Sequence, residues 1–285
     1  MEEKVTKVKI GKERLDIMVA NSGIADTRTK AQNLIQEGKI FVNGIREDKP
    51  GTMIKIDALI ELKGEIQKYV SRGGYKLEKA IEVWNLDLNN KICMDIGSST
   101  GGFTDCMLQN GAVKVYAIDV GTNQLDWKLR NDKRVVSLEK TNARNIDKTT
   151  VNNDKIDFVS MDVSFISITK ILDAIYNIID EDTVFISLLK PQFEAKKEDV
   201  QKGGIITDEN MHKEIILNVL NYAQSNKFDI IDLNYSPIKG PSGNIEFLVN
   251  LRKSECPKIF GMDDIGQIKE YINNVVTLSH KELDL

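Results

Sequence analysis

The stretch Ile92-Cys-Met-Asp95-Ile-Gly97-Ser98-Ser99-Thr-Gly101-Gly102-Phe103-Thr104-Asp105 decides the fold. An apolar run ends in a glycine-rich turn, and a helical pattern opens at Phe103. Glycines at such a junction let the backbone come close to a ligand at a helix N-terminus. The spacing, D-x-G-x-x-x-G-G, departs from the dinucleotide pattern G-x-G-x-x-G and lacks the lysine of a phosphate-binding loop, so no pyrophosphate or triphosphate is implied.

Outward from this loop, strand and helix patterns alternate. Strands are expected at Val113-KVYAID, Val135-VSL, Ile156-DFVSMD and Val184-FISLLK, with helices near residues 74–84, at Phe103, near Leu125 and from Ile168. The last strands fall near Phe228-DIIDL and Glu246-FLVNL, after a long helical run around residues 211–223. Such alternation predicts an α/β fold with a doubly wound, mostly parallel sheet.

An acid just before the loop suits a ligand with an amino group, while loop amides can take its carboxylate. The methionine end of S-adenosylmethionine has both. Asp119 ends the next strand, 24 positions after Asp95, where an acid is expected to hold ribose hydroxyls. Asn142 either binds an adenine edge or caps a turn. Asp162 ends the fourth strand of this series, beside the expected path of the methyl group. Methyl transfer is an in-line displacement that needs alignment and the removal of one proton, and it requires no metal. A lysine whose pKa is lowered by desolvation or by another cation is a reasonable base for a weakly acidic hydroxyl, and Lys190, ending a strand before a proline, and Lys76, near the start of a helix, are read either as such a base or as solvated charges.

Toward the N-terminus the character changes. Residues 13–63 read as two helices leading into a small sheet, with Gly23 ending the first helix and Asp26 or Thr27 capping the second. Asn43-Gly44 marks a hairpin, and the sheet is expected to continue through Met53-IKI and Leu59-IEL. Residues 64–72 join this part to the rest. Residues 1–79 carry 16 Lys+Arg against 12 Asp+Glu, although the whole chain has net charge −4, so an RNA footprint is expected in this first quarter.

The run RLD…ADTRTKAQNLIQEGKIFVNGIRE resembles the S4-type RNA-binding module. The resemblance implies Arg28, Lys30, Gln32, Lys39 and Asn43, with Arg72 beyond the module, as RNA-facing residues. Arg14-Leu15-Asp16 also resembles a catalytic Asp motif of some pseudouridine synthases, but Asp16 opens a helix here and reads as structural.

SRGGYKL around Lys76, DIGSSTGGFTD, MDVSF around Asp162, LLKPQFE around Lys190 and GNIEFLV around Glu246 occur in the order of the TlyA (haemolysin A-like) family of ribosomal RNA 2′-O-methyltransferases. They are similar also to the FtsJ-like group. This resemblance implies a Rossmann-like class I methyltransferase on a seven-stranded sheet over residues 73–285, behind an S4-type domain over residues 1–63. It implies S-adenosylmethionine held by Asp95, Gly97, Ser98, Ser99, Gly101, Gly102, Phe103, Thr104, Asp119, Asn142 and Asp162. It also implies a catalytic set in which Lys190 acts on the hydroxyl, Asp162 and Lys76 tune it and hold the acceptor, and Glu246 orients the network. The acceptor would be cytidine in ribosomal RNA, within ribosomal subunits. The alternative for the four ionisable residues is a structural ion cluster.

Composition sets further bounds. With 41% hydrophobic and 29% charged residues the chain can bury an ordinary core. No segment has the run of apolar residues of a signal peptide or membrane span, so a cytoplasmic protein is expected. Cys93, Cys106 and Cys256 lack metal-ligand spacing, and His212 and His280 read as solvated surface residues. A (D/N)PP(Y/F) motif for amino-group methylation is absent after the fourth strand, and no cysteine stands where carbon methylation needs one. The polar segment of residues 194–205 is either a loop that orders over RNA or an idle surface loop. Two other functions stay open: a membrane-lytic protein, suggested by the haemolysin label of the family, and an RNA-binding assembly factor without turnover.

Overall fold

The structure is a computed structural model that describes residues 11–64, 67–196, 198–200 and 203–283. The expected start of the first module (1–10) and parts of the joining segment (65–66) and of the polar loop (197, 201–202) lie outside the described residues. The chain divides into two compact units, Met1–Gln67 and Lys68–Leu285. Residues 68–72, expected to be joining segment, pack into the second unit: Tyr69 is buried, and Val70 N–H donates to Asp105 Oδ2 at 2.9 Å.

In the first unit, helices α1 (Leu15–Asn21) and α2 (Arg28–Gln36) pack on each other. Thr27 caps α2 by accepting from Lys30 N–H at 3.2 Å. Strand β2 (Ile40–Val42) pairs antiparallel with β3 (Ile45–Arg46) and β5 (Ile60–Leu62). Asn43 and Gly44 both have positive φ, the geometry of a two-residue hairpin whose twist matches its strands. One expectation is corrected. The Met53 strand, β4 (Met53–Lys55), does not join this sheet but pairs with β1 (Lys12–Arg14), three polar residues that carry no strand signal of their own.

Among the described residues the second unit is built on a seven-stranded sheet in the order β11-β12-β10-β9-β6-β7-β8. The strands are β6 (Ile92–Ile96), β7 (Lys114–Ile118), β8 (Val135–Leu138), β9 (Phe158–Met161), β10 (Val184–Leu189), β11 (Phe228–Tyr235) and β12 (Phe247–Lys253). β12 is antiparallel to both its neighbours, and the ladders from β8 across to β10 are parallel.

Side chains alternate between the two faces with period two. Cys93, Val115, Phe158, Ile186 and Leu248 pack with helices α3 (Gly73–Val83), α4 (Gly102–Gln109) and the short α5 (Trp127–Arg130). Met94, Ile96, Tyr116, Val159, Phe185 and Val249 pack with α6 (Leu172–Ile178), α8 (Glu209–Ser225) and α9 (Ile265–Leu283). The order of strands reverses at β6, between β7 and β9. Ligands of such sheets bind beyond the carboxyl ends of the strands at this reversal.

His212 corrects the surface reading. It lies on the apolar stripe of α8 with Ile215, Ile216 and Val219, fully buried, and its Nδ1 is 2.9 Å from His280 Nε2 on α9. A histidine at a helical core position follows the stripe, whatever the polarity of its sequence neighbours.

Candidate active site

At the reversal, Gly97 leaves β6 with φ +80°, and a Cβ there would fall 2.4 Å from the backbone oxygen of Asp162. The bare backbone lets the loop after β6 meet the loop after β9, where Asp162 N–H donates to Ile96 O at 2.9 Å. A cleft of about 490 Å³ opens here, lined by Gly97, Ser99, Asp119, Asn142 and Asp162. Ile118, Val120, Ala143 and Ile171 supply apolar wall, and Ser164 and Phe165 stand on the β9 side.

Asp119 is fixed by two backbone donors, Ser99 N–H at 2.8 Å and Gly121 N–H at 2.7 Å. Each carboxylate oxygen keeps a second lone pair for a ligand hydroxyl. Asn142 caps the short 3₁₀ turn Ala143–Asn145 through its side-chain oxygen, which accepts from Arg144 N–H at 3.1 Å. The capping reading is the one its contacts display, from a position that also lines the cleft.

The rest of the expected cofactor loop does not line this cleft. Asp95 shares the sheet face of Cys93, so it points beneath α4, fully buried, and accepts from Thr104 Oγ1 at 2.6 Å and Ser160 Oγ at 3.1 Å. Burial pushes its carboxyl up to about 7, against the pull of those two hydroxyls. Phe103 sits in the core, Ser98 and Thr104 are buried, Gly101 faces Leu125 and Leu129, and Gly102 lies against the backbone of Gly73 and Gly74. Small residues at 101 and 102 thus serve the close packing of α4.

Beside the cleft, four ionisable side chains form a chain of contacts. Glu246 Oε2 is 2.5 Å from Lys76 Nζ, which is 3.8 Å from Asp162 Oδ2. Lys190 Nζ meets Asp162 Oδ1 at 2.6 Å as an ion pair without aligned hydrogen-bond geometry, and donates to Ser164 Oγ at 3.0 Å. Two cations and two anions cancel, which limits the cost of holding them out of water. Their convergence follows from the topology. Asp162 and Lys190 come directly after parallel strands, while Glu246 precedes β12, whose reversed direction brings its start to the same sheet end, with Phe247 opposite Leu189. Lys76 comes from the first turns of α3.

Phe165 was not singled out from the sequence. It has positive φ, is 91% exposed at the cleft margin, and its ring lies 5.2 Å from that of Phe193. A large apolar residue three positions past Asp162, after the apolar strand has ended, is the sequence signal that could have found it.

In the first unit, the residues expected to face RNA are engaged within the protein. Asp16, fully buried, accepts from Arg14 (3.0 and 2.9 Å), Arg28 (3.0 Å) and Gln32 (2.8 Å). Lys30 pairs with Asp26 at 2.5 Å, Lys39 with Glu37 at 2.7 Å, and Asn43 accepts from Leu59 N–H at 2.9 Å. Arg14 and Arg28 remain about half exposed, with guanidinium donors to spare. Arg72 stands in the second unit, at the cap of α3.

A seven-stranded sheet with one reversed strand and a cleft at its switch point is the fold of a Rossmann-like methyltransferase. Residues 69–253 match the FtsJ-like methyltransferase family and residues 13–60 the S4 domain. The chain belongs to the FtsJ-like methyltransferase family. It is 38% identical over 240 residues to the 16S/23S rRNA (cytidine-2′-O)-methyltransferase TlyA of Mycobacterium tuberculosis, spanning 84% of this chain and 89% of that one. It is 48% identical over 237 residues to Hemolysin A of Brachyspira hyodysenteriae, spanning 83% and 98%. A solved structure from Streptococcus thermophilus that carries the hemolysin label matches with a TM-score of 0.72 at 44% identity, over 97% of this chain and 98% of that one. Among the described residues, no helix is long and apolar enough to cross a membrane.

Proposed function

We propose that this chain methylates a ribose 2′-hydroxyl of cytidine in ribosomal RNA, with S-adenosylmethionine as donor, in the cytoplasm where ribosomal subunits assemble. The observation that supports it above others is the chain Glu246–Lys76–Asp162–Lys190, whose Asp162 also lines the cleft. The names of the TlyA relatives support the acceptor.

The cleft suits the donor. Gly97 lets the loops after β6 and β9 close up at the switch point, Asp119 offers lone pairs to ribose hydroxyls, and the apolar wall with Asn142 suits an adenine. When bound, the donor supplies a methyl group on a sulfonium, ready for in-line displacement. Asp162 and Ser164 fix the Lys190 amine, which in its unprotonated form would take the proton lost by the 2′-oxygen as that oxygen bonds to the methyl carbon and the carbon–sulfur bond breaks, its electron pair leaving with the sulfur. Lys76, held by Glu246, steadies Asp162 from the other side. Phe165 offers a face on which the target base can stack. In the first unit, Arg14 and Arg28, oriented by Asp16, suit RNA phosphates.

The test is transfer of tritium-labelled methyl from S-adenosylmethionine to unmethylated ribosomal subunits, with the product mapped as 2′-O-methyl by its block to alkaline cleavage. The reading expects a mapped site that disappears with Lys190→Ala. Cofactor binding without incorporation into either subunit would favour the assembly factor, and lysis of red cells by the Lys190→Ala protein would favour the membrane-lytic reading.

A further inference from the structure

The loop that carries Asp162 and the turn that carries Lys190 are fastened together at a second place. Helix α7 (Pro191–Glu194) starts directly after Lys190, and its last residue turns back to the loop that follows β9. One oxygen of the Glu194 carboxylate accepts from Ile168 N–H at 2.8 Å, the other from Ser167 Oγ at 2.5 Å. Ser167 in turn caps the 3₁₀ turn Ile168–Lys170, accepting from Thr169 N–H at 3.2 Å. Between the fastenings, the rings of Phe165 and Phe193 meet.

The parallel ladder between β9 and β10 already joins these strands, but it stops at Met161 and Ser187. Beyond it, the Asp162–Phe165 segment needs other support, and Phe165 has φ +64°, a conformation that persists in a non-glycine residue only when its surroundings impose it. Glu194 supplies such support two residues further on. Burial pushes its carboxyl up, opposed by Ser167 and by the Ile168 amide, so the grip is made by neutral donors at a desolvation cost.

We propose that Glu194 is a positioning residue for methyl transfer: by gripping Ser167 and Ile168 it holds the Asp162–Phe165 segment in the register that keeps Lys190 against Asp162 and Ser164. The inference rests on the reading of Lys190 and Asp162 as the residues that act on the acceptor. A slipped segment would leave the sheet and most of the cleft intact and misplace only the groups beside the reacting oxygen. Small misplacements of that kind lower turnover strongly.

The experiment is steady-state methyl transfer by the full chain and its Glu194→Ala, Glu194→Gln, Ser167→Ala, Ser167→Ala/Glu194→Ala and Lys190→Ala variants, with folding followed by circular dichroism at the assay temperature. Glu194→Gln keeps an acceptor for Ile168 N–H and an amide for Ser167 Oγ, whereas Glu194→Ala removes both. Glu194→Ala should lower kcat at least tenfold with KM for S-adenosylmethionine within threefold of the parent. Glu194→Gln should stay within threefold in kcat. Ser167→Ala should give an intermediate loss that does not add to that of Glu194→Ala, as for two parts of one clip. The inference is overturned by a kcat within twofold of the parent in Glu194→Ala, by a Gln variant as slow as the Ala variant, or by losses that merely follow the unfolded fraction. Lys190→Ala separates the two readings: its full activity overturns the site and this inference with it, while its inactivity beside an undiminished Glu194→Ala overturns this inference alone.

Discussion

Lys76 Nζ lies 2.5 Å from Glu246 Oε2, joining residues 170 positions apart, and Glu246 is 1% exposed. Removing one partner of a buried pair leaves an uncompensated charge, at a cost of about 3–5 kcal/mol. Glu246→Ala should therefore lower the unfolding free energy in urea by about 3 kcal/mol and abolish methyl transfer. The double variant Lys76→Met/Glu246→Leu should recover most of the stability and none of the activity. Measurable turnover in the double variant would show that the pair serves the fold alone.

Lys190 is held by Asp162 and Ser164 beside the cleft and does not line it. Lys190→Ala should reduce kcat by about 10²–10⁴-fold, the usual contribution of a positioned general base. Titration calorimetry should find S-adenosylmethionine affinity within threefold of the parent, since the interaction lost belongs to the transition state.

Parts of this geometry are legible in the sequence for definite reasons. Asp162 and Lys190 stand where apolar runs stop, and the ends of parallel strands collect at one edge of a sheet. The hairpin at Asn43-Gly44 is marked because its turn demands positive φ at both residues. Asp95 reads as a cleft residue until its period-two partner, Cys93, is seen to face α4. The β1–β4 ladder is hidden because Lys12–Arg14 carries no alternation. His212 reads as a surface residue and Glu194 as the start of a polar segment because their partners, His280 and the residue pair Ser167 and Ile168, are supplied by tertiary packing.

Gly97→Ala would place a methyl group 2.4 Å from Asp162 O on a backbone with φ +80°. The left-handed conformation alone costs an L-residue about 1–2 kcal/mol, and the backbone oxygen cannot swing aside. The variant should bind S-adenosylmethionine at least tenfold more weakly in titration calorimetry, with lower thermal stability. Unchanged affinity would mean that the loops separate freely at this point.

Asp95 makes stability depend on pH. Burial raises its carboxyl from 3.8 to about 7 in the folded chain, so folding favours the protonated form. Its contribution is full below pH 3.8 and is lost as pH rises to about 7, a change of about 4 kcal/mol. The difference in unfolding free energy between the parent and Asp95→Asn, followed by urea titration of the second unit, should fall across that window. A flat difference would mean that Asp95 stays ionised throughout.

Asp16 should act in the opposite sense. The Arg14 guanidinium beside it holds its carboxyl well below the ordinary 3.8, with Gln32 and Arg28 adding to the pull. Its contribution is present above that value and is lost as pH falls below it. The first unit should therefore show an acid-unfolding limb that Asp16→Asn lacks. The same variant should bind RNA more weakly, because Arg14 and Arg28 lose their common anchor. A filter-binding curve that overlays the parent's would sink that second expectation.

The position of β12 has a consequence for how the chain is made. It is the last strand of the sheet in sequence, yet it lies between β10 and β11. While the chain emerges from the ribosome, the facing edges of β10 and β11 stay unpaired, and the residue that completes the charge chain, Glu246, arrives just before the strand that fills the gap. Unpaired edges invite association with other chains. A nascent chain arrested before residue 247 should be soluble only with a chaperone bound, and release of the final strand should bring sheet closure and a functional active site in the same kinetic step.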